Sequence, residues 1–196
     1  MALTMGSDAQ SFKIVNENSP HGIYVYDHEK GSWQLVQVED GPFKPNKKGI
    51  YVIYFDNAKC SACRKYDTIW FPFIENSMQT KKEITFVIVL CNWFARDCKS
   101  KSASETFKQF DVHASPTTIV LYVDENGEIK YQEKYEGVLY EFELKLVLEQ
   151  FEDRAQKALR GEKVAPPIEK KSSSALEDLI MQILKSIIEK GEKKGS

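Results

Sequence analysis

The sequence predicts an α/β protein, and three observations lead to that prediction. Residues 51–55 and 84–90 are continuous apolar runs, as expected for strands that are buried on both faces of a sheet. The apolar-rich helical stretch between them, up to about Met78, suits the crossover that joins two parallel strands. Residues 118–131 place the turn sequence Asp-Glu-Asn-Gly between two further strand-like runs, which predicts a β-hairpin.

A smaller β-hairpin is predicted before the first core strand. Residues 22–26 and 33–38 are strand-like and flank a polar stretch at residues 27–32. We expect one of these strands to add to an edge of the sheet, because exposed edges are normally covered. This organisation predicts a tail at residues 1–20 and a β extension at residues 21–48, ahead of the main domain.

A Cys-x-x-Cys pair, Cys60 and Cys63, lies where the first core strand gives way to the helical stretch. Only a thiolate attacks a disulfide, and a helix N-terminus stabilises that anion through unpaired backbone N–H groups and the helix dipole. Cys60 is therefore the expected nucleophile, and the positive charges of Lys59 and Arg64 are expected to lower its pKa further. Cys63 lies one helical turn on and is expected to resolve the mixed disulfide.

Ser115-Pro116-Thr117 precedes the predicted hairpin, and a closing helix is predicted after it, from about residue 139 to 159. With these elements in this order, residues 49–160 resemble a thioredoxin domain. The resemblance implies a cis bond before Pro116, which would face the cysteine pair, and substrate positioning by Ser115, Pro116 and Thr117. It also implies a thiol–disulfide oxidoreductase that acts on protein disulfides, needs no cofactor, and exchanges electrons with an unidentified redox partner.

Several positions depart from thioredoxins proper. Ser61 and Ala62 stand between the cysteines where thioredoxins have Gly-Pro, Tyr54 replaces their buried aspartate, and Ile88 replaces the lysine partner of that aspartate. Asp56 lies closer to the motif and is expected to take over the proton handling if its side chain points inward. The residues between the cysteines strongly influence the reduction potential, so the direction of exchange stays open.

A second pair of cysteines, Cys91 and Cys98, follows the second core strand. Two interpretations stay open: a disulfide, either structural or relaying electrons to Cys60 and Cys63, or a buried strand cysteine with an unrelated neighbour. Intracellular disulfides are rare outside hyperthermophiles and redox proteins. A four-cysteine zinc site is the alternative use of these residues. The buried strand, the helix start and Pro116 favour redox chemistry, so no metal is expected.

The C-terminal end is the part least similar to thioredoxins. Residues 161–174 are polar and contain prolines, as in a linker, and residues 175–190 are predicted to form an amphipathic helix before a tail at 191–196. Apolar residues recur along this helix at three- and four-residue spacing, and a short isolated helix cannot bury such a stripe. They are Leu176, Leu179, Ile180, Ile183, Leu184, Ile187 and Ile188.

Three surfaces compete to cover that stripe: the protein's own domain, a second copy or partner protein, and a membrane. The polar face mixes acidic and basic residues, which favours protein contact over a membrane surface. This segment also motivates an alternative function, a thioredoxin-fold binding or assembly module whose cysteine pair is structural or regulatory.

The overall composition argues against nucleic-acid binding, and the distribution of apolar residues argues against a membrane span or a secretory signal. The chain has 196 residues and a formal net charge of −2, so no global charge attracts nucleic acid. No apolar run is long enough to span a bilayer, and the first twenty residues lack the pattern of a secretory signal. We therefore expect a cytoplasmic protein without a nucleic-acid partner.

Overall fold

The computed structural model describes residues 10–36, 41–93 and 97–170. Within them, seven strands form one mixed sheet in the order β1-β3-β2-β5-β4-β6-β7. The strands are β1 (Ser11–Phe12), β2 (Gly22–Asp27), β3 (Ser32–Val36), β4 (Gly49–Asn57), β5 (Ile84–Cys91), β6 (Thr117–Val123) and β7 (Ile129–Glu136). The helices are α1 (Ser61–Phe73), α2 (Lys101–Gln109), α3 (Glu141–Glu149) and α4 (Phe151–Leu159).

The centre of the sheet is the predicted parallel pair, β4 and β5, which runs in register from Ile50 opposite Ile84 to Asn57 opposite Cys91. Strand β6 pairs antiparallel with the other side of β4, and β7 completes the predicted hairpin. Because helices cover both faces, β4 is apolar on both faces. The predicted α/β fold, with the strand order of a thioredoxin-like core, is confirmed.

Alternate residues of β4 enter two separate cores, as the period of a strand requires. Val52 and Tyr54 face the core that contains α1, α3 and α4, together with Cys63. Ile53 and Phe55 face the core that contains α2. The side of the sheet that carries Tyr54 is therefore also the side on which the cysteine pair begins its helix.

The predicted N-terminal hairpin is present, since β2 pairs antiparallel with β3 and also joins the sheet through β5. Residues 1–20 were expected to form a tail, but residues 10–20, the part that the structure describes, pack against the sheet. Ser11–Phe12 forms β1 on the outer edge of β3, and Val15 is fully buried. The ring of Phe12 lies edge-on to Tyr24 at a centroid distance of 5.4 Å. Burial of these apolar side chains fixes the segment against the sheet.

The helical stretch after the cysteine pair extends to Met78, as expected, but it changes character on the way. Helix α1 ends at Phe73 and continues as a π-helical turn, Ile74–Met78. Pro72 lies in the last turn of α1 and has no N–H to donate to the helix. Trp70, Phe71, Phe73 and Ile74 nevertheless remain buried against the sheet.

The prediction of a single closing helix at residues 139–159 was wrong, because the structure has two helices that meet at Gln150. The backbone of Gln150 is not helical, with φ −118° and ψ 11°. The break leaves the carbonyl of Val147 to accept a hydrogen bond from Arg154 Nη2 at 2.7 Å. It also lets Phe151 become fully buried and lets Arg154 reach Glu133 on β7.

The chain beyond α4 returns to the core. Lys170, the last described residue, accepts a hydrogen bond from Glu136 N at 3.1 Å and donates one to Val138 O at 3.0 Å. The predicted helix at residues 175–190, the end of the linker and the tail at 191–196 lie outside the described residues. Among the helices of the described residues, none is long and apolar enough to cross a membrane.

Candidate active site

The cysteine pair opens α1, as the sequence predicts. Cys60 is the N-cap residue with extended backbone, and its sulfur accepts a hydrogen bond from Cys63 N at 3.2 Å. The Cys60 carbonyl begins the helix by accepting from Cys63 N and Arg64 N. Cys60 is partly exposed, whereas Cys63 is fully buried. One thiol is therefore open to a client, and the other lies behind it.

Ser115 contacts both thiols. The bond between Ser115 and Pro116 is cis. In its protonated form Cys60 donates to Ser115 O at 3.3 Å, and Cys63 Sγ lies 3.0 Å from Ser115 Oγ. The same hydroxyl donates to Phe55 O at 3.3 Å, which ties it to the end of β4. The structure thus brings together three of the expected residues, Cys60, Cys63 and Ser115.

Thr117, the third expected substrate-binding residue, has a different placement. It is fully buried, and its hydroxyl donates to Ala114 O at 2.9 Å. Its backbone pairs with Phe55 and Glu136 in the sheet. Thr117 therefore shapes the turn that presents Ser115 and Pro116 and has no surface with which to touch a client.

The two thiols differ strongly in acidity. A hydrogen bond from the Cys63 thiol, together with the backbone N–H groups of Cys63 and Ala62, lowers the pKa of Cys60 to about 6 in spite of partial burial. Burial raises the pKa of Cys63 well above that of an ordinary thiol, and the hydrogen bond to Cys60 and the charge of Asp56 add to that effect. At neutral pH, Cys60 is the thiolate and Cys63 is the thiol that stabilises it.

Asp56 points inward, as its proposed role requires. It follows Val52 and Tyr54 on the same face of β4, and only 1% of it is exposed. One carboxylate oxygen, Oδ1, forms a short ion pair with Arg64 Nη2. The other, Oδ2, has no hydrogen-bond partner among the described residues. Burial raises the pKa of Asp56, although Arg64 opposes the shift.

Arg64 holds three carboxylates together rather than flanking Cys60. Its Nη1 lies 3.1 Å from Asp67 and 3.1 Å from Glu17, in addition to the pair with Asp56. Tyr54 donates a hydrogen bond to the other oxygen of Asp67 at 3.0 Å. Burial and the nearby charge of Asp56 raise the pKa of Asp67 to about 7. We name Asp56, Arg64, Asp67 and Tyr54 the acid cluster.

Sequence reasoning missed two members of this arrangement. Asp67 is three residues after Arg64 and four after Cys63, so helical spacing already places it on the same side of α1. Glu17 comes from the segment between β1 and β2, and no sequence signal connects it to α1. Lys59 was expected to lower the pKa of Cys60. In the structure its side chain is exposed, and its backbone N–H donates a hydrogen bond to Asn57 Oδ1 at 3.3 Å.

The second cysteine pair lies at the same end of the sheet. Cys91 and Cys98 are joined by a disulfide, and Cys91 O accepts a hydrogen bond from Ala58 N at 3.0 Å, two residues before Cys60. Together with a nitrogen of His21, their sulfurs form a group of potential metal ligands within 4.8 Å of one another. Both sulfurs are used in the disulfide, so this arrangement is not a metal site in the oxidised state.

Neither the known family models nor the curated proteins give a match to this chain. Among solved structures, the chain is similar to thioredoxin from Aeropyrum pernix, with 15% sequence identity and a TM-score of 0.42. The match covers 70% of this chain and 97% of that protein. It is also similar to oxidised thioredoxin O2 from Arabidopsis thaliana, with 22% sequence identity and a TM-score of 0.36. That match covers 53% of this chain and 75% of the thioredoxin. A third similar structure is StoA from Bacillus subtilis, with 22% sequence identity and a TM-score of 0.33. The match covers 52% of this chain and 83% of StoA. The fold assignment rests on the strand order of the sheet.

Proposed function

We propose that the protein is a thiol–disulfide oxidoreductase that acts on protein disulfides through Cys60 and Cys63. The observation that carries this proposal is that Ser115 contacts both sulfurs, with its carbonyl oxygen 3.3 Å from Cys60 Sγ and its hydroxyl oxygen 3.0 Å from Cys63 Sγ. A partly exposed cysteine of low pKa, backed by a buried thiol, is the arrangement that two-step disulfide exchange requires.

In the first step, the Cys60 thiolate attacks one sulfur of a client disulfide. A new bond forms between Cys60 Sγ and that sulfur, the client S–S bond breaks, and the departing sulfur leaves as a thiolate that takes a proton from solvent. The lowered pKa of Cys60, about 6, supplies the reactive anion at neutral pH. The client chain lies along the backbone of Ser115, next to the buried Pro116, where backbone contacts tolerate many sequences.

In the second step, Cys63 resolves the mixed disulfide. Its thiol must lose a proton, and its raised pKa makes that loss unfavourable without a base nearby. Asp56 is buried beside it, has a free oxygen and has a raised pKa, so we assign it the role of proton acceptor. Cys63 Sγ then bonds to Cys60 Sγ, and the second client sulfur leaves as a thiolate.

Over one turnover, the two protein thiols become a disulfide and the client disulfide becomes two thiols, so electrons and protons balance. The reverse direction oxidises client thiols by the same steps. Either direction needs a second dithiol or disulfide partner to reset the pair, and no cofactor takes part in the exchange. The cytoplasmic location expected from the sequence stays a prediction, which fractionation of the source cells checks.

The test is the dithiothreitol-driven reduction of insulin disulfides by the wild type and by Cys60→Ser. We expect the wild type to accelerate the reaction and the variant to fall to the uncatalysed rate, because no other described thiol is both free and exposed. Cys63→Ser is the matched variant, since it keeps the nucleophile and is expected to accumulate client proteins as mixed disulfides on Cys60. Equal, uncatalysed rates for all three proteins would refute the proposal and favour the binding-module alternative.

A further inference from the structure

Helix α3 exposes more apolar surface than its surroundings. Phe142 is 67% exposed, Tyr140 44% and Leu146 39%, and these are three of the six large apolar side chains that are exposed in the described part of the chain. Phe142 and Leu146 are four residues apart, which puts them on one side of the helix. The ring of Tyr140 stacks on Phe142 with centroids 6.3 Å apart. We call Tyr140, Phe142 and Leu146 the α3 patch.

The opposite side of α3 already has its partners, because Leu144 and Val147 are buried in the core. The α3 patch therefore does not compensate for a poorly packed helix. It is a second apolar surface on a helix whose inner side is fully packed, and contiguous surfaces of this kind commonly mark contact sites.

The chain leaves the described structure at the α3 patch. Lys170 Nζ lies 5.6 Å from the centre of the Tyr140 ring and 3.2 Å from Glu143 at the start of α3. Its backbone is held by Glu136 N, and its side chain also donates to Val138 O. Ile168, two residues earlier, packs against the core. The position of Lys170, the last described residue, is thus fixed by several contacts near the start of α3.

The 26 residues that follow include the apolar stripe from Leu176 to Ile188. Residues 171–175 span at most about 17 Å when extended, which is enough to bring Leu176 to either end of α3. A helix over residues 176–188 is about 20 Å long, and α3 is about 14 Å long, so the two lengths are compatible. The tether is short enough to keep the stripe at a high local concentration around the patch.

We propose that the C-terminal segment, residues 175–190, docks its apolar stripe on the α3 patch of the same chain. The sequence alone leaves open whether the stripe covers its own domain, another protein or a membrane. The exit point favours its own domain, because only residues 171–175 separate Lys170, whose side chain contacts the Tyr140 ring, from Leu176, where the stripe begins. The proposal does not depend on the redox function, since neither surface contains a reacting atom.

The first experiment is lysine cross-linking of the full chain, mixed in equal amounts as unlabelled and ¹⁵N-labelled protein. We expect links from Lys185 or Lys190 to Lys145 on α3 or Lys65 on α1, with both peptides of each link carrying the same isotope. Links that join labelled to unlabelled peptides would show that a second copy supplies the stripe. If no link joins Lys185 or Lys190 to Lys145 or Lys65, within one chain or between two copies, an external partner covers the patch. Either result overturns the proposal.

The second experiment compares trypsin cleavage after Lys185 in the wild type and in a Phe142→Asp, Leu146→Asp double variant. Both positions are exposed, so the fold is retained, and we expect cleavage at least about tenfold faster once charges replace the apolar contact. Ile14→Asp is the matched control, because Ile14 is 53% exposed but lies between β1 and β2. Equal cleavage rates in the wild type and the double variant would overturn the proposal.

Discussion

Two buried clusters in this protein are built from the same groups, a carboxylate, an arginine and tyrosine hydroxyls, yet they differ in how completely the charges are paired. In the first, Glu133 on β7 accepts from Arg154 Nε at 2.7 Å and from Nη2 at 2.9 Å, and each of its oxygens also accepts from a tyrosine, Tyr131 or Tyr135. One cation meets one anion, and both carboxylate oxygens are satisfied.

The acid cluster beneath the cysteine pair is different. There, Arg64 faces Asp56 and Asp67 of the cluster and also the exposed Glu17 beside it, so a single positive charge meets up to three negative charges. Asp56 keeps one oxygen without a partner among the described residues, and the pKa of the buried Asp56 and of the partly buried Asp67 is raised. A paired carboxylate holds the fold, whereas an under-paired one is ready to bind a proton.

The largest expected effect of this difference is on stability, through Glu133→Gln. Removing the charge leaves Arg154 buried without its anion, which is expected to lower the free energy of unfolding by about 3–5 kcal/mol. Urea denaturation measures this change. Glu162→Gln is the matched control, because Glu162 pairs with Arg160 at 2.8 Å on the surface and its loss should change stability by less than about 1 kcal/mol. Equal effects of the two substitutions would contradict a structural role for the buried pair.

The next largest effect is on the resolution step, through Asp56→Asn. We expect the second release of thionitrobenzoate from Ellman's reagent to slow about 100-fold, because Cys63 loses its proton acceptor. The first release, which reports attack by Cys60, should change only a few-fold. Asp153→Asn, on the surface of α4, is the control. A variant in which both releases slow equally would assign Asp56 to a general structural role instead.

Asp56→Asn also tests whether the pKa of Asp56 is raised, through the pH dependence of its free energy of unfolding. Because burial raises the pKa of Asp56 above its ordinary value of 3.8, the native state binds this proton more tightly than the unfolded state. The contribution of Asp56 to the stability of the wild type should therefore fall as pH rises from about 4 through the raised pKa. Asp56→Asn lacks this dependence, so the difference in unfolding free energy should move in favour of the variant as pH rises to 7. A constant difference would contradict the raised pKa.

The smallest expected effect concerns the acidity of Cys60, through Cys63→Ala. This substitution removes the strongest contribution that lowers the pKa of Cys60, so the pKa should rise from about 6 by about 1, toward an ordinary thiol. The pH profile of alkylation by iodoacetamide measures it. Cys63→Ser retains a hydroxyl donor and should show a smaller rise. An unchanged profile in Cys63→Ala would show that the backbone N–H groups alone stabilise the thiolate.

Much of the fold and part of the site follow from the sequence. The apolar runs predict β4 and β5, and the turn sequence predicts the β6–β7 hairpin, because these signals are local. The Cys-x-x-Cys spacing likewise places Cys60 at the start of a helix. Because side chains alternate along a strand, the spacing of Tyr54 and Asp56 also puts both on one face of β4.

Only the tertiary structure decided which face that is, and what lies opposite it. The sequence favours a continuous closing helix, and its break at Gln150 makes possible the contacts of Arg154 with Val147 and Glu133, which come from separate parts of the chain. Arg64 was expected to assist Cys60, and three carboxylates from three parts of the chain take its charge instead.

The division has a physical reason. The sequence by itself determined the α/β class, strands β2 to β7 and the helix that begins at the cysteine pair, because periodicity and turn chemistry depend on neighbouring residues. The tertiary structure decided how buried charges are paired, because the energy of a buried charge depends on every group within a few ångströms, and those groups come from distant segments. The proton chemistry proposed for Asp56 belongs to this second kind of information.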